Sequence, residues 1–176
     1  YTREALDVAQ RVGVRTVVYG SGGSRQIPDG FPRERATQQL IEYLRFLGDE
    51  AAIRNIQIAI EPLATRFCNF VTSVAEATEL AADVGHPAVG VLADVYHMAC
   101  DGEPFGQVAV PGDRLWHAHV SAIDRSAPTK DADELGSFFA ELRRAGYAGD
   151  VSIECHWDDI AREARPALEL VRGLAG

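Results

Sequence analysis

Val89-Gly90-Val91-Leu92-Ala93-Asp94 is a short apolar run that ends on a single carboxylate. Three other stretches repeat the pattern. Ile56–Ile60 runs into Glu61, Leu115–Ala118 into His119, and Val151–Ile153 into Glu154. Runs of this length, rich in Val and Ile and bounded by polar residues, predict strands. Arg15–Tyr19 adds a fifth. Between them the apolar spacing changes to that of helices. Residues 2–12 end at Gly13, and residues 33–54 carry Leu40, Ile41, Leu44 and Leu47 on one face. Further helices are predicted from 72–75 to Val84, with a stop at Gly85-His86-Pro87, over 133–145 with a stop at Gly146, and over 158–174. Strand alternating with helix implies βα units and a parallel sheet. No low-complexity linker divides the chain, so residues 1–176 are read as a single domain.

Two architectures accommodate five such units. A five-stranded doubly wound sheet fits 176 residues. A (β/α)8 barrel takes about 250 residues, so only its last five βα units fit. The chain starts with Tyr1 inside a helical pattern, and on the barrel reading three strands precede it.

Composition narrows the function. The net charge is −9, from 17 basic and 26 acidic residues, a balance that argues against nucleic acid and anionic membranes as partners. Lys130 is the sole lysine and lies in a polar stretch, so Schiff-base chemistry has no buried amine to use. The cysteines, Cys68, Cys100 and Cys155, have no Cys-x-x-Cys spacing; they read as free thiols in a reducing cytoplasm. No apolar run has the length of a membrane span, and no signal peptide is visible.

Side-chain alternation groups the strand-end residues. Glu61 shares a face with Ala59, Asp94 with Leu92, His119 with His117 and Glu154 with Ser152. In a barrel this face is the interior, and its last side chains reach the C-terminal mouth where active sites lie. One acid after a strand is commonly a helix cap or a solvated loop residue; four on successive strands point to one divalent-metal site. Oxygen donors with one imidazole suit Mn²⁺, Mg²⁺ or Co²⁺ better than a thiolate zinc site. Such an ion polarises a hydroxy-carbonyl substrate, which acidifies the neighbouring C–H and favours an enediolate. Glu61 and Glu154 fit both as ligands and as the acid/base pair. Asp94 and His119 read as ligands only, and His117 as a satisfied core histidine one layer deeper.

Ile60-Glu61-Pro62-Leu63, Leu92-Ala93-Asp94-Val95-Tyr96-His97-Met98, His117-Ala118-His119-Val120-Ser121 and Ser152-Ile153-Glu154 together resemble the sugar isomerase/epimerase family with a xylose-isomerase-like TIM barrel. The closest subgroup is the ketose 3-epimerases of tagatose and psicose type, and the resemblance spans about residues 14–155. It implies a (β/α)8 barrel fragment and one Mn²⁺-type ion on Glu61, Asp94, His119 and Glu154. The two glutamates would shuttle a proton, and His97 and Arg125 would contact substrate oxygens. For Arg125 the competing reading is a surface ion pair with Asp124 or Asp131. A sugar substrate and a homo-oligomer are implied as partners.

The run Ala64-Thr65-Arg66-Phe67-Cys68-Asn69 departs from the Asn-Arg-Phe-Glu usual after Glu-Pro-Leu in that subgroup and lacks its second glutamate. This keeps a second activity open: a metal-dependent lyase or dehydratase acting on a keto-sugar, an inosose or a 3-keto-glycoside. C-glycoside lyases of the superfamily work with a small partner subunit. A DNA-repair role, as in endonuclease IV on the same barrel, needs three zinc ions and more than the five histidines present. The loop Gly20-Ser21-Gly22-Gly23-Ser24-Arg25 lacks Gly-x-Gly-x-x-Gly and Walker spacing, and is read as a connector with no helix directly after it; a phosphate cradle with Arg25 is the alternative.

Overall fold

The computed structural model describes residues Tyr1–Gly176. Five strands form one parallel sheet: β1 (Thr16–Tyr19), β2 (Gln57–Ile60), β3 (Val89–Asp94), β4 (Leu115–Val120) and β5 (Asp150–Ile153). Their order is sequential, β1-β2-β3-β4-β5, with β1 and β5 at the edges. A doubly wound sheet reverses direction at a switch point. No reversal occurs, so the sheet is a half-barrel, as the barrel reading expected.

Helices cover one face. They are α1 (Thr2–Arg11), α2 (Gly22–Arg25), α3 (Arg33–Ala52), α4 (Val74–Val84), α5 (Val95–Cys100), α6 (Ala132–Arg144) and α7 (Ile160–Ala175). The predicted face of α3 is the buried one: Leu40, Ile41, Leu44 and Leu47 sit against the sheet. Ser73 caps α4 by accepting the Glu76 N–H, and Gly85 ends it in the left-handed region at φ 65°. Asp159 caps α7 through two backbone N–H groups, which moves its start to Ile160. Two elements depart from expectation. The glycine-rich loop contains the one-turn helix α2, and α5 follows Asp94 directly. No helix is long and apolar enough to cross a membrane.

The core lies between the sheet and the helices. Ile58, Ile60, Val89, Val91, Ala93, Ala118 and Val120 point into it. The alternate residues Ala59, Leu92 and His117 point to the other face, the barrel interior, and the strand-end Glu61, Asp94 and His119 follow them.

One irregularity sets the phase of β4. Val91 pairs with Leu115, but Leu92 pairs with His117, so Trp116 is an extra residue. A slip of one residue turns every later side chain to the opposite face. Below the bulge Leu115 points to the helices; above it Ala118 and Val120 do, and His117 and His119 turn inward. The bulge therefore sets Asp94 beside His119 in register. Trp116 lies across Gly90. A Cβ at Gly90 would overlap the indole carbons and approach the Arg114 carbonyl oxygen to 2.8 Å. Gly90→Ala should therefore cost about 1–3 kcal/mol by overpacking and displace the indole. Urea unfolding and Trp116 emission, read in a Trp157→Phe background, check both effects; unchanged values for both would refute the packing role.

Candidate metal centre

Glu61, Asp94, His119 and Glu154 reach the same point from β2, β3, β4 and β5. Their ligand atoms all lie within 4.8 Å of one another. His119 Nδ1 is at the centre, 2.9 Å from Glu61 Oε1, 2.7 Å from Glu154 Oε2 and 3.9 Å from Asp94 Oδ2. Asp94 is 1% exposed and Glu61 4%, whereas the Glu154 side chain is 47% exposed at the edge strand.

Each ligand is held by its own local structure. Asp94 ends β3 and caps α5, its Oδ1 accepting the Tyr96 N–H at 2.8 Å. That leaves Oδ2 for the cluster. Glu61 follows β2, and its N–H donates to the Tyr19 carbonyl at 3.1 Å. Glu154 is fixed in the same way on the Val120 carbonyl. His117, one layer below, bonds Ser152 Oγ at 2.8 Å and is satisfied there, as expected.

Arg125 is not in a surface ion pair with Asp124 or Asp131. Its Nη1 lies 2.7 Å from Asp94 Oδ2 and its Nη2 2.8 Å from Glu154 Oε2, so it bridges two members of the quartet. The guanidinium also stacks 4.5 Å from the Tyr96 ring centroid. Its backbone is in the left-handed region at φ 69°, which is strained for arginine. The His156 N–H bond to the Arg125 carbonyl at 2.7 Å ties this turn to the chain beyond β5. Asp124 pairs with the solvated Lys130 instead.

His97, on α5, accepts the Ala64 N–H on Nδ1 at 3.1 Å. The ring proton is therefore on Nε2, which faces Asp94 Oδ2 at 3.8 Å. Burial, reinforced by the Arg125 charge, lowers the His97 imidazole to about 4, so the ring is neutral at pH 7. Burial also lowers His119, but its bonds to Glu154 and Glu61 outweigh this and raise it to about 9. The bond from His119 holds Glu154 near 2 against the opposing effect of its partial burial. Burial pushes the Asp94 carboxyl up to about 6, with Arg125 pulling the other way.

The donor set fits a divalent ion. Three carboxylates converge on one ring nitrogen, which offers a single proton. One guanidinium and one imidazolium leave the group with surplus negative charge; a divalent ion replacing the ring proton balances it. Oxygen donors with one imidazole match Mn²⁺, Mg²⁺ or Co²⁺.

Gly20, Arg25 and Tyr96 escape a reading of strand ends alone. A Cβ at Gly20 would overlap the Glu61 carboxylate. Its sequence signal is the smallest possible side chain at the last inward position of the strand beside Glu61. A cavity of about 510 Å³, lined by Tyr19, Arg25, Phe31, Leu40 and Tyr43, lies between β1 and α3 and includes none of the quartet.

The family model described as "Xylose isomerase-like TIM barrel" matches residues 1–174. An L-ribulose 3-epimerase of Methylomonas sp. is 26% identical over 162 residues, covering 90% of this chain and 56% of that protein. A 3-dehydroshikimate dehydratase of Pseudomonas putida is 29% identical over 131 residues, covering 66% of this chain and 20% of the enzyme. The chain thus spans about half of the epimerase and a fifth of the dehydratase. The crystal structure of a D-allulose 3-epimerase from Methylomonas sp. in complex with D-allulose superposes at a TM-score of 0.87 with 23% identity, covering 98% of this chain and 67% of the other. With the half-barrel and nearly the whole chain matched, the protein belongs to the xylose isomerase-like TIM barrel family.

Proposed function

We propose that this chain carries the metal centre of a sugar isomerase/epimerase of ketose 3-epimerase type. It works by proton abstraction next to a carbonyl, through an enediolate. The convergence of four ligand side chains within 4.8 Å carries this reading. Glu61, Asp94, His119 and Glu154 hold one divalent ion, with Mn²⁺ the best match to the donors. When bound, the ion polarises the substrate carbonyl and acidifies the adjacent C–H.

The protein groups supply the rest. Glu61 and Glu154 remove and return the proton from two sides of the cluster. Arg125 holds Asp94 and Glu154 in place and presents positive charge where negative charge develops on substrate oxygen. His97, neutral with its proton on Nε2, donates a hydrogen bond to a substrate hydroxyl or carbonyl. On this reading the chain is the metal-binding part of a longer barrel that assembles as a homo-oligomer. Its three free thiols favour a cytoplasmic setting.

The dehydratase relative supports a second reading on the same site. Removal of the same proton with a leaving group on the β carbon gives elimination, and a small partner subunit would then suit a lyase. Incubating the protein with Mn²⁺ in D₂O on ketoses and 3-keto-glycosides separates the two. Deuterium in an epimerised product supports the isomerase, and loss of water or aglycone supports the lyase. Exchange that survives EDTA would exclude the metal mechanism. Glu61→Gln and Glu154→Gln should each lower exchange by about 10²–10⁴-fold while circular dichroism shows the fold largely intact; near-normal turnover in both would remove the acid/base assignment.

The metal-free state has its own signature. His119 is raised in the fold from 6.5 to about 9. A raised imidazole contributes stability that is full below pH 6.5 and is lost as pH rises through 9. The metal-free protein should therefore show a falling urea midpoint between pH 6.5 and 9, and His119→Asn should flatten that slope. A slope unchanged by the substitution would show that His119 does not carry it.

A further inference from the structure

We infer that Arg25 is a positioning residue for Glu61, setting the backbone from which that carboxylate reaches the metal and the transferred proton. The inference rests on the metal reading above and adds a residue that the reading does not use.

Arg25 is 5% exposed and pairs with no acidic side chain. Its two terminal nitrogens go to backbone. Nη2 donates to the Glu61 carbonyl at 2.5 Å, and Nη1 to the Tyr19 carbonyl at 3.1 Å. The same Tyr19 oxygen accepts the Glu61 N–H at 3.1 Å. Arg25 therefore fixes the Glu61 peptide from both sides: directly at its carbonyl, and through the acceptor of its N–H. Nε is buried with no partner. A buried guanidinium with no counter-ion and an unmade hydrogen bond is costly. The only compensation beyond the two carbonyls is the Tyr19 ring, 5.8 Å from Cζ.

The surrounding loop is shaped to the same residue. Gly20 leaves the space that the Glu61 carboxylate fills. A Cβ at Gly22 would press on the Phe67 carbonyl at 3.0 Å and the Leu63 side chain at 3.1 Å, both in the segment that follows Glu61. Gly20 and Arg25 thus enclose Glu61, Gly22 makes room for the segment after it, and α2 is the turn that delivers the guanidinium. The glycine-rich loop is neither a plain connector nor a phosphate cradle.

The test uses Arg25→Met, Arg25→Lys and a control, Arg54→Met. Arg54 is similarly enclosed but ties α1 to α3 through Asp7 and Glu50. Free Mn²⁺ is titrated by electron paramagnetic resonance, alongside thermal unfolding and steady-state kinetics on the substrate found above. Arg25→Met should weaken Mn²⁺ binding by about 10–100-fold, the usual loss when a group supporting a ligand is removed. It should lower kcat at least as much, with KM within about threefold. Arg25→Lys, which keeps one donor, should recover part of both. Arg54→Met should lose thermal stability with Mn²⁺ affinity unchanged. The inference is overturned if folded Arg25→Met keeps Mn²⁺ affinity and kcat within about twofold of wild type, or if Arg54→Met weakens Mn²⁺ equally. If Arg25→Met does not fold, Arg25→Lys decides, and wild-type affinity and kcat in it overturn the inference. Absence of saturable Mn²⁺ binding in the wild type would instead overturn the metal reading and this inference together.

Discussion

Three carboxylates meet at one imidazole nitrogen, and the rest of the half-barrel is arranged to hold them there. Like charges at this separation repel, and burying them is costly unless something positive lies between them. Asp94 shows the strain, pushed up to about 6 although Arg125 bonds it directly. His119 shows the reverse, raised to about 9 because its bonds to Glu154 and Glu61 outweigh its burial. Both shifts come from crowding ionisable groups into one buried cluster. The parallel sheet creates that cluster geometrically, because strands that run the same way end on the same side and bring four side chains from distant sequence to one mouth.

That geometry depends on register as much as on chemistry. Without the extra residue at Trp116, Asp94 would pair with Ala118, and His119 would turn toward the helices. The bulge costs one unpaired position and needs Gly90 beneath the indole. The absent side chain at Gly90 is thus coupled to the metal centre through strand phase, with no contact to any ligand. Gly20 acts more directly, giving up a side chain so that a carboxylate can occupy its place.

Much of this was legible in the sequence because periodicity and strand-end chemistry agree. Alternation in Ile58-Ala59-Ile60-Glu61 and Leu92-Ala93-Asp94 places the ligands on one face without further information. Alternation pairs His119 with His117 correctly because both lie above the bulge; strict alternation from Leu115 would put both on the helix side. Helix α5 has too few residues for a helical period to show, and its capping Asp94 also reads as a ligand. Arg25 stands in the sequence only as the charge of a possible phosphate cradle, with nothing to mark it as buried. Its burial depends on contacts with Tyr19 and Glu61, the latter 36 residues away, which no local pattern encodes. Arg125 was placed near substrate by resemblance alone; its bonds to Asp94 and Glu154 follow from a left-handed turn that the sequence does not signal with glycine.

The two glutamates are chemically alike and physically unequal. Glu61 is buried, clamped at both backbone groups and confined by Gly20. Glu154 sits half-exposed just past the edge strand β5, its N–H on the Val120 carbonyl and its carboxylate held by Arg125 and His119. On the proposed acid/base reading, Glu61 is the confined member of the pair and Glu154, open to solvent, the less confined one. Replacing Arg125 would therefore release Glu154 and Asp94 together, while replacing Arg25 would loosen Glu61 alone. The cluster is thus held by two independent arginine clamps, one on its open side through carboxylates and one on its closed side through backbone.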